Sequence, residues 1–256
     1  MISVSQPPVG DEKTKNTWIT IHHETEKDYW WFTSKRNLII QLIQSCAPSS
    51  SSLLEIGCGG GKLSSEFQQL GYQVFSTDYE PTAVEYTKKL GIKNAFVCDS
   101  GEGLPLKDNC MDLIVMADVL EHIQDHKLAI SECKRVLKSG GHILLTVPAY
   151  PCLFSSWDKW NKHFRRYTKK QLKILANETK MQIERLTFWN IPGLPFAVFR
   201  KITDIFHPNK TYQGFPPVPR IVEIPLKGFI SLENKLIQKI SLPVGLSIIC
   251  ILKKME

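Results

Sequence analysis

Four groups of residues in this 256-residue chain have the types and spacing for chemistry. The first is Glu55-x-Gly57-x-Gly59-x-Gly61, where glycines take positive φ without strain and leave no Cβ in the way of a ligand. An acid two positions before the first glycine would repel a pyrophosphate, and suits a ligand that carries an ammonium group. The second group is a series of acids, Asp78, Asp99 and Asp118, each following a run of apolar residues. An acid at the end of a second strand accepts hydrogen bonds from ribose hydroxyls, so an adenosine-bearing ligand is expected. Third come two histidines, His122 and His163, suited to take a proton from an acceptor. The fourth group is Arg165-Arg166, whose guanidinium forks match a phosphate or carboxylate.

The elements that must position these groups alternate along the chain. Residues 53–56 form an apolar run too short for a helix, and they read as a buried strand that ends at glycine. Leu63, Phe67 and Leu70 then recur at helical spacing. A second strand, 72–77, ends in Asp78, and a helix runs from Pro81 to Leu90 and is closed by Gly91. Residues 94–98 give a third strand before Asp99-Ser100, and 111–117 a fourth before Asp118. The next helix, 125–137, is expected to stop at Ser139-Gly140-Gly141 as a C-cap, with a fifth strand over 142–147. Thr168 reads as the N-cap of a helix carrying Leu172 and Leu175, followed by strands at 181–189 and 247–253. Alternation of this kind implies right-handed βαβ units in an α/β doubly wound sheet, with ligands at the carboxyl ends of the strands.

Taken together, these residues resemble the class I S-adenosylmethionine-dependent methyltransferases, in the type 11-like subgroup, over roughly residues 50–150. The resemblance implies a Rossmann-like sheet, mostly parallel with an antiparallel last strand. It implies S-adenosylmethionine as cofactor, held by Glu55, Gly57, Cys58, Gly59, Gly61, Asp78, Tyr79, Asp99, Ser100 and Asp118. A nicotinamide dehydrogenase is the rival enzyme class, and the glycine spacing disfavours it. The run His163-x-Arg165-Arg166-Tyr167-Thr168 resembles a subgroup often associated with polysaccharide and glycolipid biosynthesis. On that basis His163, with His122 second, is the expected catalytic base. Arg165, Arg166, Tyr167, Tyr29 and Trp30 are expected at the acceptor. Asp118-x-x-Glu121-His122 resembles a magnesium-binding segment of catechol-type and RNA-ribose O-methyltransferases. Its first acid is one methylene shorter and no partner histidine pair is evident, so no metal is expected.

Composition sets the remaining bounds. A hydrophobic fraction of 43% suffices for one large core, and the seven scattered cysteines, without a C-x-x-C pair, fit a reducing compartment. Residues 1–20 lack apolar periodicity and are expected to be loose, with no signal peptide; 21–256 form the domain, opened by a helix over 22–46. No run reaches the ~18 apolar residues of a membrane span. The net charge of +7 points to an anionic partner. Residues 190–244 read as an inserted helical lid, with helices at 194–206 and 224–240 that set apolar stripes beside lysine or arginine. That combination suits an interfacial helix. The expectation is a cytoplasmic protein at the inner face of an anionic membrane, acting on a small or lipid- or glycan-linked acceptor. Nucleic acid is not an expected partner, because the apolar helices do not suit one. A cofactor-binding scaffold without activity is the alternative outside catalysis.

Overall fold

The computed structural model describes residues 25–26, 28–207 and 218–255. The expected loose segment 1–20 lies outside them, as does most of the proline-rich stretch before Pro219.

Seven strands form one sheet in the order β3-β2-β1-β4-β5-β7-β6. They are β1 (Ser52–Ile56), β2 (Gln73–Asp78), β3 (Asn94–Val97), β4 (Met111–Ala117), β5 (Leu137–Pro148), β6 (Met181–Trp189) and β7 (Ser247–Lys254). Pairing is parallel from β3 through β5, and β7 runs antiparallel to both its neighbours. The strand order reverses between β1 and β4, and the crevice at that switch point is where an open α/β sheet binds its ligand.

The helices cover both faces of the sheet, which explains the unbroken apolar runs of the central strands. On one face α1 (Trp30–Cys46), α2 (Lys62–Gln69) and α3 (Pro81–Lys89) pack Leu38, Leu42, Phe67 and Val84 onto Leu53, Leu113 and Val115. On the other, α4 (His126–Val136) and α6 (Lys169–Glu178) pack Ile130, Val136, Leu172 and Leu175 onto Leu54, Ile114, Ile143 and Cys250. Each fully buried leucine or isoleucine contributes about 1.5–3 kcal/mol. A short helix, α5 (Ser156–Trp160), follows β5, and Thr168 caps α6 in a reciprocal box with Gln171.

Two expectations change. Ser139-Gly140-Gly141 does not cap a helix: α4 ends at Val136 and β5 begins at once. The three residues form a bulge, since Met111 pairs with Leu137 but Leu113 pairs with His142 where strict register would give Ser139. Gly140 takes a φ of 75°, and a Cβ on Gly141 would lie 2.8 Å from the Asp112 carbonyl oxygen. The insertion also differs from a simple lid. Its helices are α7 (Gly193–Phe206) and α8 (Arg220–Ile237), and α8 buries Ile230 and Ile237 against the α1 face of the sheet. Glu233 accepts from the Asn190 and Ile191 amides, and Asn234 bridges the Trp189 indole and the Ser34 carbonyl. So α8 is a fastened layer of the domain.

Candidate active site

The glycine loop is built by the strand that precedes it. The Gly57 and Cys58 amides both donate to the Thr77 carbonyl, which turns the chain sharply at the switch point. Gly57, Gly59 and Gly61 have φ of 74°, 51° and 76°. A Cβ on Gly61 would lie 2.6 Å from Thr87 Oγ1 and 2.8 Å from its Cα, so only glycine lets the loop rest on α3. Asp78 closes the arrangement by accepting from the Gly59 amide at 2.9 Å and the Glu80 amide at 3.0 Å. Burial raises its pKa, opposed by those two amides. Tyr79 stands exposed beside it. Asp99 is exposed at the next strand end, accepts from the Gly101 amide, and precedes the buried Ser100. The five glycine-loop and acid positions thus line one edge.

Glu55 sits deeper than its spacing implied. It is buried beneath the loop, accepts a hydrogen bond from Ser64 Oγ of α2, and has its pKa pushed up to about 8 by burial. It joins β1 to α2 and does not project into the open crevice. Besides Asp78, the carboxylate that reaches the loop belongs to Glu26, which accepts from the Gly60 amide at 3.0 Å. Burial pushes Glu26 up to about 7, against the lowering effect of Arg36. Arg36 anchors this segment, donating to the Glu26 carbonyl and, at 3.1 Å, to Glu66 of α2. Sequence reasoning missed Glu26, because it lies within the expected opening helix, 22–46, and nothing beside it in sequence ties it to the glycine loop.

A second cluster forms where β4 and β5 end. Asp118, at a φ of 55°, pairs with the buried Lys35 and accepts from Thr146 Oγ1 at 2.8 Å. Burial drives the Lys35 pKa well below its usual value. A single helical turn, Leu120–His122, then brings His122 against His163, with ring centroids 4.7 Å apart at 87°. The 163 loop is pinned there by the Phe164 amide, which donates to the Glu121 carbonyl. Asp158, fully buried, accepts from His163 Nδ1 at 2.9 Å and from Arg166 Nε at 2.8 Å. Its own pKa falls despite burial, because His163 and Arg166 stabilise the carboxylate.

Several acceptor residues therefore take other places. Arg166 is turned inward on Asp158 and the Ala149 carbonyl, so no two-arginine fork forms. Arg165 alone is half-buried at the surface, donating to the Gln124 carbonyl. Tyr167 is buried, its hydroxyl donating to the Leu120 carbonyl and lying 2.9 Å from His126 Nδ1. Trp30 lies in the core, whereas Tyr29 is half-buried at the start of α1. Asp158 went unflagged in the sequence, although Ser155-x-x-Asp158 has the spacing of the capping box it forms.

Comparison with known proteins agrees with this geometry. Residues 54–145 match a family described as "Methyltransferase domain", of type 11. A probable S-adenosylmethionine-dependent methyltransferase of Mycolicibacterium smegmatis is 30% identical over 135 residues, covering 50% of this chain and 49% of that protein. The ubiquinone biosynthesis O-methyltransferase of Xanthomonas oryzae pv. oryzae is 32% identical over 113 residues, 42% of this chain and 47% of the relative. The chain thus spans about half the length of the curated relatives it matches. Among solved structures, phosphoethanolamine N-methyltransferase 2 of Haemonchus contortus, bound to S-adenosyl-L-methionine, superposes with a TM-score of 0.61 at 17% identity. That alignment covers 96% of this chain and 59% of the other. Residues 54–145 are thus similar to the type 11 methyltransferase domain and to S-adenosylmethionine-dependent methyltransferases, and the strand order and glycine loop agree with that likeness.

Proposed function

We propose that this protein transfers the S-adenosylmethionine methyl group to an oxygen or nitrogen of an anionic, lipid- or glycan-linked acceptor presented at a membrane surface. The cofactor's adenosine lies between Asp78 and Asp99, beside Tyr79 and Ser100, and its methionine end lies along the glycine loop toward Asp118. Its methionine carboxylate takes the Gly60 amide that Glu26 now occupies. A sulfonium donor needs no acid for its leaving group, which departs as a neutral thioether. The protein supplies alignment of the acceptor and a route for its proton. That route runs by the paired imidazoles His122 and His163, with Arg165 the nearby cation for an acceptor anion. The name of the Xanthomonas relative, an O-methyltransferase, suits an oxygen acceptor.

One observation carries the membrane part of this reading: the apolar residues of the insertion face outward. Phe199 is 67% exposed, Phe206 74%, Ile221 84% and Ile224 70%. Large apolar side chains exposed in such number on the helices of one insertion favour an interaction site. Segment 190–244 also carries seven basic against three acidic residues, a balance that favours an anionic surface. No helix among the described residues is long and apolar enough to cross a membrane, so the proposed contact is peripheral. Helix α7 rests on the loop after β5, with Lys201 donating to the Phe154 carbonyl and Asp204 accepting from Ser156, so it is anchored on the segment that leads through α5 to His163. A lipid-linked acceptor would enter there.

The test is co-sedimentation with anionic and neutral vesicles at low and high salt. Salt-sensitive binding to anionic vesicles is expected for the whole protein, and its loss for a variant with Phe199, Ile205 and Phe206 changed to serine. A parent that stays in the supernatant under every condition contradicts the membrane reading.

A further inference from the structure

Glu121 has no evident reason to be where it is. Its side chain is fully buried, and neither carboxylate oxygen has a hydrogen-bond partner among the described residues. A buried carboxylate left unpaired in this way is costly, and proteins keep such a group protonated, pair it or place it on a metal. The two cations that act on it electrostatically, Lys35 and Arg166, are committed to Asp118 and to Asp158. What the carboxylate does face is a pair of imidazoles: one oxygen of Glu121 and a ring nitrogen each of His122 and His163 lie within 4.8 Å of one another.

The orientation of His163 is fixed from behind. Its Nδ1 is bonded to Asp158 at 2.9 Å, and Asp158 is itself held by Arg166. With Nδ1–H donated to a carboxylate, the Nε2 lone pair is the free donor on the ring. Proteins use this carboxylate–histidine arrangement to hold a metal ligand in one tautomer and one orientation. Ligand atoms on a shell of radius ~2.1 Å stand about 3.4–4.2 Å apart, so side-chain rotations of under about 1 Å would close this cluster on an ion. Three protein ligands leave a fourth position of a tetrahedral ion for water or an acceptor, and Glu121 is fully buried whereas His163 keeps 10% of its side chain exposed.

We propose that Glu121, His122 and His163 form a binding site for a first-row divalent transition-metal ion. Two imidazoles and one carboxylate favour zinc, cobalt, manganese or iron(II) over the hard, oxygen-seeking magnesium and calcium ions. The ion would compensate the carboxylate that the fold leaves unpaired. Its place in catalysis rests on the methyl-transfer reading above. An acceptor hydroxyl coordinated at an open position is held and acidified, and its proton passes to water. The resulting oxygen takes the methyl carbon while sulfur keeps the electron pair of the broken S–C bond. In that state His163 acts through the ion and no longer as a bare base.

The experiment reads the metal, not turnover. Chelator-treated protein carrying Cys152→Ser, to remove an exposed thiol, is titrated with cobalt(II) and followed by visible absorption and by equilibrium dialysis. One cobalt per chain is expected, with a d–d band that zinc abolishes by displacement. Glu121→Gln and His163→Gln should each weaken cobalt binding at least tenfold, with S-adenosylmethionine affinity by calorimetry retained as the control for folding. Should Glu121→Gln fail to fold, the more exposed His163→Gln and His122→Gln decide alone. Absence of cobalt binding, or binding of unchanged strength in the histidine variants, overturns the site. Either result leaves the cofactor measurement standing, so failure of the metal site is separable from failure of the methyl-transfer reading.

Discussion

The two halves of the molecule spend their apolar residues differently. In the half built from β1 to β4, the leucines, isoleucines and valines of the two central strands, β1 and β4, are fully buried between helices. In the insertion, α8 buries a single stripe, Ile230 and Ile237, while α7 buries only Gly193 of its fourteen residues. Hydrophobicity alone therefore does not distinguish a core helix from a surface one. The first half uses glycine and acid placements to make backbone amides available, and its packing exists to hold them still. The second uses polar latches, Glu233 and Asn234, to hold a helix whose remaining apolar side stays outside. A latch of hydrogen bonds is needed where packing cannot do the fastening.

The glycines break this comparison most sharply. Gly61→Ala forces a side chain into Thr87 at positive φ, and should destabilise the fold by about 2–4 kcal/mol in denaturant unfolding. Gly228→Ala on the exposed side of α8, where a Cβ meets nothing within 4 Å, should stabilise by about 0.5–1 kcal/mol. Equal effects would mean that the two regions are not differently constrained. Next in size, Asp78→Ala removes the acceptor of the Gly59 amide and, on the proposed reading, of the ribose hydroxyls. A loss of about 1.5–3 kcal/mol in S-adenosylmethionine binding is expected by calorimetry. An unchanged dissociation constant would place the cofactor elsewhere.

Glu26 gives a pH test of the same loop. Burial raises its pKa, Arg36 and the Gly60 amide lower it, and Glu66 and Asp78 raise it further, so that it stands at about 7 against an ordinary 4.5. A cofactor carboxylate that displaces it into water returns it toward the lower value, so binding releases a proton. Affinity should be flat above about pH 7 and fall below it, by at most about tenfold per unit. Glu26→Gln should flatten that slope. For folding the sign is opposite: the raised pKa stabilises the fold at acid pH, and that contribution is lost as pH rises through about 4.5 to 7. The smallest effect belongs to the insertion. Phe199→Ser should change stability by under about 0.5 kcal/mol, because an exposed side chain has little packing to lose.

How much of this was readable beforehand follows the same division. Strands and the glycine loop were legible because short apolar runs ending in glycine or acid admit few other meanings. The Ser139-Gly140-Gly141 bulge was misread since the same residues suit a helix stop, and only strand register separates the two. Arg166 was expected at the acceptor because nothing local shows that Asp158 will lie beneath it. Glu121 and His122 drew notice as a pair, yet their partner His163 is brought in by tertiary folding alone. The helices of the insertion were found by period, but which side of α8 faces the sheet depends on Trp189 and Ser34, far away in sequence.

The central claim, a methyl group delivered to a lipid-linked anionic acceptor, is tested most directly by following the label. The protein is incubated with methyl-tritiated S-adenosylmethionine and anionic vesicles made from a total membrane lipid extract, and the products are partitioned between organic and aqueous phases. Tritium is expected in the organic phase, in amounts that drop with Asp78→Ala and with the Phe199, Ile205 and Phe206 serine variant. Transfer confined to water-soluble acceptors, undiminished by the insertion variant, would contradict the account.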